Sequence, residues 1–320
     1  MITLYHDGSM SSEETLRSTP VSLATFAALQ PDRPSLTNGG GGELRDLVMA
    51  EWSDRRVPLF QILALETRTG CNLTCSFCPV SRESDQRPYS EMPISTMIAV
   101  LSELSQLNYS GSILLFSNNE PLLDDRIVEI VSLSRTHCPE ARIKILSNGT
   151  RLSINLASDL FDAGLTVLEI DNYSDGRRLI RPVQDLINSA ALFDGVDIRI
   201  NMRRLHETLT NRAGTAPNKA PLAVSRSQFC ALPFTDITVV PDGRVTLCCF
   251  DAYEVTTFGT IHDSSLVDIW TGDAFRRVRT SLSTLDRSCN GLCAVCDYDG
   301  FRIPRPTQWI DLRVPSAAPN

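Results

Sequence analysis

The sequence predicts an α/β protein built on a parallel sheet, closed or partly closed as a barrel, and followed by a smaller cysteine-rich module. Three observations carry that prediction. Short runs rich in Val, Ile and Leu alternate with amphipathic helical segments from Gln61 onward, which is the rhythm of βα units. The runs are rich in Val, Ile and Leu, as strands buried on both faces should be. The rhythm stops after Asn211, where the polar connection "NRAGTAPNKAPLAVSRSQ" leads into a segment that holds Cys230, Cys248, Cys249, Cys289, Cys293 and Cys296.

Residues 1–57 form an N-terminal extension to which no role is assigned. Within it "TNGGGGE" (Thr37 to Glu43) reads as a flexible joint and "ELRDLVMAEW" as a short amphipathic helix. The barrel spans 58–215. "QILALET" is its first strand, "ISTMIAVLSELSQL" a helix, "SILLFS" a strand and "DDRIVEIVSLSRTH" a helix. The strands "ARIKILS" and "LTVLEID" flank the helix "SINLASDLFDAG", which Gly164 ends, and "PVQDLINSAALF" leads to the strand "VDIRINMR". The cysteine-rich module spans 216–302 and contains the hairpin "ITVVPDGRVTLCCF", turning at Asp242-Gly243. A proline-rich tail, 303–320, is expected to lie extended over the surface. Active residues of such a barrel gather at the carboxyl ends of its strands, where Cys71 to Cys78, Glu120 and Asn148 fall.

With 320 residues, 42% of them hydrophobic, the chain can bury a full core. A formal charge of -8 argues against a nucleic-acid partner, because phosphate binding wants a basic face; an acidic chain suits a cationic small substrate instead. No cationic segment followed by an apolar run opens the sequence, and no apolar run has membrane-spanning length. A cytoplasmic protein with no membrane partner is expected. In that reducing compartment ten cysteines point to metal or catalysis rather than to disulfides.

Cys71, Cys75 and Cys78 stand in the spacing CxxxCxxC. Structural zinc takes four ligands and a redox pair takes two. Three thiolates can instead hold three irons of a 4Fe-4S cluster and leave the fourth iron open to a ligand that is not protein. A degenerate zinc knuckle, or simply buried thiols, is the competing reading of the same residues.

The motif and its place after the first barrel strand resemble those of the radical S-adenosylmethionine (SAM) superfamily, and the resemblance runs from about Leu59 to Phe301. It implies a partial (β/α)6 TIM-like barrel. It also implies that the open iron binds S-adenosyl-L-methionine, that one electron splits this cosubstrate to a 5'-deoxyadenosyl radical, and that a donor such as flavodoxin or ferredoxin supplies the electron. Phe77 fits the pattern. Glu120 and Pro121 match the turn that binds the methionine amino group, with Asn118 and Asn119 where relatives carry glycine; Ser147 and Asn148 would face the cosubstrate. The later cysteines resemble a SPASM or twitch module with an auxiliary 4Fe-4S cluster, and that match assigns Cys230, Cys248, Cys293 and Cys296 as ligands. Cys289 is left over, with replacement of Cys230 or Cys293 open to it, and zinc on the same thiols stays an alternative.

Cys249 follows a ligand directly. On an extended segment it would point away from the cluster, leaving a spare thiol that is either a small buried hydrophobe or a hydrogen-atom donor. Radical enzymes with one such cluster include those acting on aminoglycoside antibiotics. The expected activity is therefore an epimerase: hydrogen abstraction from a sugar carbon of a cationic aminosugar, then return from Cys249 to the other face. The alternatives are a dehydrogenase of an aminocyclitol and a peptide-modifying maturase. Glu169, Asp171 and Asp251 are the candidate carboxylates for the substrate amines, against the ordinary reading of each as a surface acid. Cys138 is read as inert.

Overall fold

The computed structural model describes residues 2–6, 40–53, 56–302 and 306–311. In chain order the elements begin with β1 (Ile2–His6), α1 (Gly40–Met49), β2 (Arg56–Pro58) and β3 (Ile62–Leu65). There follow α2 (Ile94–Gln106), β4 (Ser112–Leu114), α3 (Ile127–His137), β5 (Arg142–Ser147), α4 (Ile154–Asp162) and β6 (Val167–Tyr173). Then come α5 (Arg181–Asn188), β7 (Asp197–Arg203), the one-turn helix α6 (Leu232–Thr235), β8 (Asp236–Val239), β9 (Arg244–Thr246) and β10 (Gly259–Thr260). The last described elements are α7 (Leu266–Thr271), α8 (Asp273–Ser283), α9 (Gly291–Val295) and β11 (Trp309–Asp311).

The five strands expected from sequence are β3 to β7, all parallel and adjacent in chain order. Their outward side chains, among them Ile113, Ile145, Leu168 and Ile200, are fully buried in one core with Met97, Leu101 and Leu104 of α2 and Ile130 of α3. Burial of each such side chain contributes about 1.5–3 kcal/mol, which is why the apolar runs set the sheet. Ser153 caps α4 by accepting from the Leu156 amide at 3.1 Å. Gly164 ends it at φ +104, in the left-handed region that a side chain resists.

Two strands outside the expected set extend this sheet. β1 pairs in parallel with β7, Leu4 opposite Ile200, so part of the N-terminal extension supplies a sixth parallel strand beyond β7. At the other edge β8 pairs in parallel with β3, Leu63 opposite Ile237, and turns back through the expected Asp242-Gly243 hairpin into β9. The order is β1-β7-β6-β5-β4-β3-β8-β9-β10, an open sheet consistent with a partial barrel. The hairpin read as belonging to a separate module is thus hydrogen-bonded to the first barrel strand.

Two further expectations are corrected. Gly40 to Gly42 do not form a joint but open α1; residues 37–39 lie outside the described residues. Gly is a poor helix former, yet Leu44 and Val48 of α1 are buried with Phe229, Phe234 and Leu282 of the C-terminal segment, and packing outweighs propensity. The tail is not merely draped over the surface. β11 pairs antiparallel with β2, and Gln308 donates to the Leu107 carbonyl at 2.7 Å. Residues 303–305 and 312–320 of the tail lie outside the described residues. Among the described residues no helix is long and apolar enough to cross a membrane.

Candidate active site

The loop after β3 carries Cys71, Cys75 and Cys78 and is fastened at several points. The Ser76 amide donates to the Leu205 carbonyl at 3.0 Å, beyond the end of β7, and the Arg82 amide to the Leu73 carbonyl at 2.8 Å. From the end of β5, the Asn148 side-chain amide donates to Cys71 Sγ at 3.7 Å and to Asn72 Oδ1 at 2.8 Å. Burial pushes the Cys71 thiol up to about 11 and Cys75 up to about 12, while Arg212 pulls against burial at Cys78. Thiols so raised become thiolates at neutral pH only where a metal takes the place of the proton. Three of them on one loop suit three irons of a cluster.

Glu120 is 2% exposed and held from three sides. Its Oε1 accepts from Ser147 Oγ at 2.6 Å and from the Leu122 amide at 3.0 Å; its Oε2 accepts from the Asn148 amide at 2.7 Å. Those bonds lower its pKa less than burial raises it. Its own amide donates to the Gly70 carbonyl at 3.0 Å, tying the turn to the cysteine loop. Neither Asn118 nor Asn119 has positive φ, so the turn needs no glycine in this chain. Phe77 is buried and packs on Tyr173, ring centroids 5.9 Å apart. The expected cosubstrate residues Phe77, Glu120, Ser147 and Asn148 are thus linked to the cysteine loop by contact or hydrogen bond.

Glu169, Asp171 and Tyr173 share one face of β6, as do Arg199, Asn201 and Arg203 on β7, and the register sets Asp171 opposite Asn201. Glu169 is taken by an ion pair with Lys144 and by Asn201 at 2.9 Å. Asp171 accepts from Asn201 at 2.9 Å and from Tyr173 Oη at 3.2 Å, with Arg203 at 3.8 Å. Burial raises its pKa despite Arg203. Asp251 does not join them. It is 1% exposed, and its oxygens accept from the Val255 amide and from the Thr256 amide and hydroxyl, which fold the 251–256 loop. The charges facing the barrel interior are therefore mixed and mutually paired rather than acidic.

Cys230, Cys248, Cys293 and Cys296 line a single hollow together with Leu232, Phe250 and Arg287. Among the described residues no three His, Cys, Asp or Glu side chains close around a single ion. Cys289 is exposed and outside the lining. Ala213 is buried with Cys296 at the same hollow. It is the middle one of three successive left-handed residues, Arg212 at φ 50, Ala213 at 52 and Gly214 at 86, a strained conformation of the kind found at functional sites. Cys249 lies off the hollow, but for a reason other than strand alternation. The chain leaves β9 and turns, the Asp251 amide donating to the Cys248 carbonyl at 3.0 Å, and the Cys249 carbonyl accepts from Asn118 Nδ2 at 3.2 Å.

Arg87 is a site residue that sequence reasoning missed. It donates to Glu66 at 2.7 Å, to Asp85 at 3.0 Å, to Glu254 at 2.9 Å and to the Asn118 carbonyl at 2.6 Å. This buried guanidinium pins the end of β3, the Asn118 turn and the 251–256 loop together. Its partners are far apart in sequence and carry no motif.

The radical SAM superfamily matches residues 65–196, and the SPASM iron-sulfur cluster-binding domain matches residues 230–297. The S-adenosyl-L-methionine-dependent 2-deoxy-scyllo-inosamine dehydrogenase of Niallia circulans is 27% identical over 244 residues, 75% of this chain and 93% of that one. Two crystal structures share the fold. BtrN in complex with AdoMet and 2-DOIA has a TM-score of 0.66 at 24% identity, over 76% of this chain and 94% of that one. BtrN in an open conformation has 0.55 at 22%, over 75% and 93%. These findings correct the epimerase expected from the sequence: the relative matched over nearly its whole length is a dehydrogenase, not an isomerase, and hydrogen return from Cys249 loses the step it was assigned to serve. The thiols on the loop after β3 and those around the hollow fall within these two matches, a radical SAM domain and a SPASM domain, to which a 4Fe-4S cluster, S-adenosyl-L-methionine and an auxiliary iron-sulfur cluster belong.

Proposed function

We propose that the chain is a radical SAM dehydrogenase that oxidises a secondary alcohol of an aminocyclitol to a ketone. The observation that carries this reading is the match to 2-deoxy-scyllo-inosamine dehydrogenase across 93% of that protein. When bound, the two clusters supply the electron that splits S-adenosyl-L-methionine to the 5'-deoxyadenosyl radical and a place for the electron that the substrate gives up. A flavodoxin- or ferredoxin-type donor supplies the reducing electron.

The chain's own residues orient and exclude. Glu120, fixed by Ser147, Leu122 and Asn148, receives the amino group of the cosubstrate. Asn148 holds Cys71 in place, and Phe77 with Tyr173 forms the apolar wall beside the cysteine loop. We assign Asp171 to the substrate, because Glu169 is neutralised by Lys144 and Asp251 is consumed by its own loop. The alcohol loses its carbon-bound hydrogen as an atom, its hydroxyl proton to Asp171 and one electron, which together turn CH–OH into C=O. A carboxylate whose pKa burial has raised is better matched to taking that proton than an exposed one.

Anaerobic turnover of 2-deoxy-scyllo-inosamine tests the proposal. One ketone should form per 5'-deoxyadenosine, Asp171→Asn should lower kcat by ~10²–10⁴-fold, and Cys249→Ala should keep most of the activity. An isomer of the substrate, with no carbonyl, that carries one solvent-derived deuterium and vanishes in Cys249→Ala would overturn it.

A further inference from the structure

Arg287 is 2% exposed and lines the same hollow as the four thiols of the SPASM domain. All three of its nitrogens are spent on carbonyls: Nε on Gln228 at 2.9 Å, Nη1 on Tyr298 at 2.6 Å and Nη2 on Phe229 at 2.9 Å. Phe229 precedes Cys230, and Tyr298 lies two residues past Cys296, so the guanidinium braces the chain on both sides of the ligand set. Among the described residues it forms no ion pair with a carboxylate. A buried cation without a counter-charge is costly, and folded chains pair such groups.

The thiols provide the missing partner. Among the described residues Arg287 is the one charged side chain in the lining of the hollow, beside Cys230, Cys248, Cys293 and Cys296, and no carboxylate lines it. Iron-sulfur cubes on four thiolates are anionic and become more so on reduction, and net charge and hydrogen bonds to sulfur are what set their potentials. A fixed positive charge beside the cube stabilises the reduced form more than the oxidised one. Burial keeps salt from screening it.

We propose that Arg287 is the built-in counter-charge of the auxiliary cluster and raises its reduction potential, so that the cluster takes up an electron readily. That it accepts the electron of an oxidised substrate rests on the dehydrogenase reading; that it sets the potential does not. Arg287 is a positioning residue, because it acts through the cluster and not on the substrate.

The test is a redox titration by electron paramagnetic resonance on the anaerobic, cluster-loaded full chain without substrate. The two clusters are distinguished by which signal responds to S-adenosyl-L-methionine. Arg287→Gln should shift the oxidised-to-reduced equilibrium of the auxiliary cluster at least tenfold toward the oxidised form, about 59 mV for one electron. Arg287→Lys, which keeps the charge and loses the fork of carbonyl contacts, should recover most of that shift. The other cluster should titrate as in the wild type. A Gln variant with full iron and the wild-type potential overturns the proposal, and so does a Lys variant shifted as far as the Gln variant. Should the Gln variant fail to hold iron, the Lys variant decides alone: iron retained near the wild-type potential supports the role of charge, and iron lost from a folded Lys variant refutes it. Because no substrate is present, a wrong dehydrogenase reading would leave these outcomes unchanged.

Discussion

Replacing Glu66 by Gln removes a pH-dependent cost from the fold. Arg87 and Arg244 face four carboxylates, Glu66, Asp85, Glu254 and Asp242, so the set is short of positive charge when all are ionised. Glu66 is the one with no exposure, and burial pushes it up to about 7 in spite of Arg87. Burial also works against the charge on Arg87, but its hydrogen bonds to Asp85 outweigh that and it stays protonated. A carboxyl held near 7 rather than 4.5 represents ~3 kcal/mol at about 1.36 kcal/mol per pH unit. The folded chain binds the extra proton, so this contribution is fully present below pH 4.5 and is lost as pH rises through about 7. The assay is anaerobic urea unfolding of cluster-loaded wild type and Glu66→Gln across that window. The wild type should lose ~3 kcal/mol relative to the variant from low to high pH, as the linkage relation requires. Parallel pH profiles would refute the reasoning, since they would mean that Glu66 ionises alike in the folded and unfolded chain.

Three other outcomes follow from the geometry. Cys289→Ser should keep both clusters, because Cys289 lies outside the hollow, whereas Cys293→Ser should lose the auxiliary one; iron content and absorption spectra report both. Gly300→Ala should destabilise the chain by ~2–5 kcal/mol in thermal or urea unfolding and lower its iron content, combining left-handed strain with overpacking. Gly300 sits at φ +73, and an added Cβ would come within 2.6 Å of the Phe229 carbonyl and Cys230 Cα. Asn118→Ala strips a donor from the Cys249 carbonyl and an acceptor from Arg212, and should cost ~1–3 kcal/mol in the same measurement.

Much of the barrel was legible because each strand announces itself locally. Runs such as "ARIKILS" are short, β-branched and apolar, and the helices between them are amphipathic. The strand Ile2–His6 was not legible, since five residues reveal nothing of a partner nearly two hundred positions away, Ile198 to Met202. The attachment of β8 to β3 was hidden for the opposite reason: Asp242-Gly243 explains a hairpin so well that no further neighbour is called for. The glycines that open α1 were misread because propensity is local and the burial of Leu44 and Val48 is not. In the site, spacing pointed to Cys71, Cys75 and Cys78 and, through the resemblance, to the four thiols that the hollow brings together. Spacing said nothing of Arg87 or Arg287, whose roles depend on partners that only folding assembles. The reaction was misjudged for a related reason. A cysteine beside a ligand looks the same in a sequence whether it gives hydrogen to a substrate or simply fills a turn.

The pairing of β8 with β3 bears on how this enzyme could be re-engineered. A cut in the connection near residue 215 would look like a clean seam between two swappable parts. It would in fact strip β3 of a neighbour along Ile62 to Leu65 and leave a bare strand margin, an invitation to aggregate. Chimeras that exchange cysteine-bearing ends between relatives should therefore carry Asp236 to Val239 as part of the recipient's own sheet.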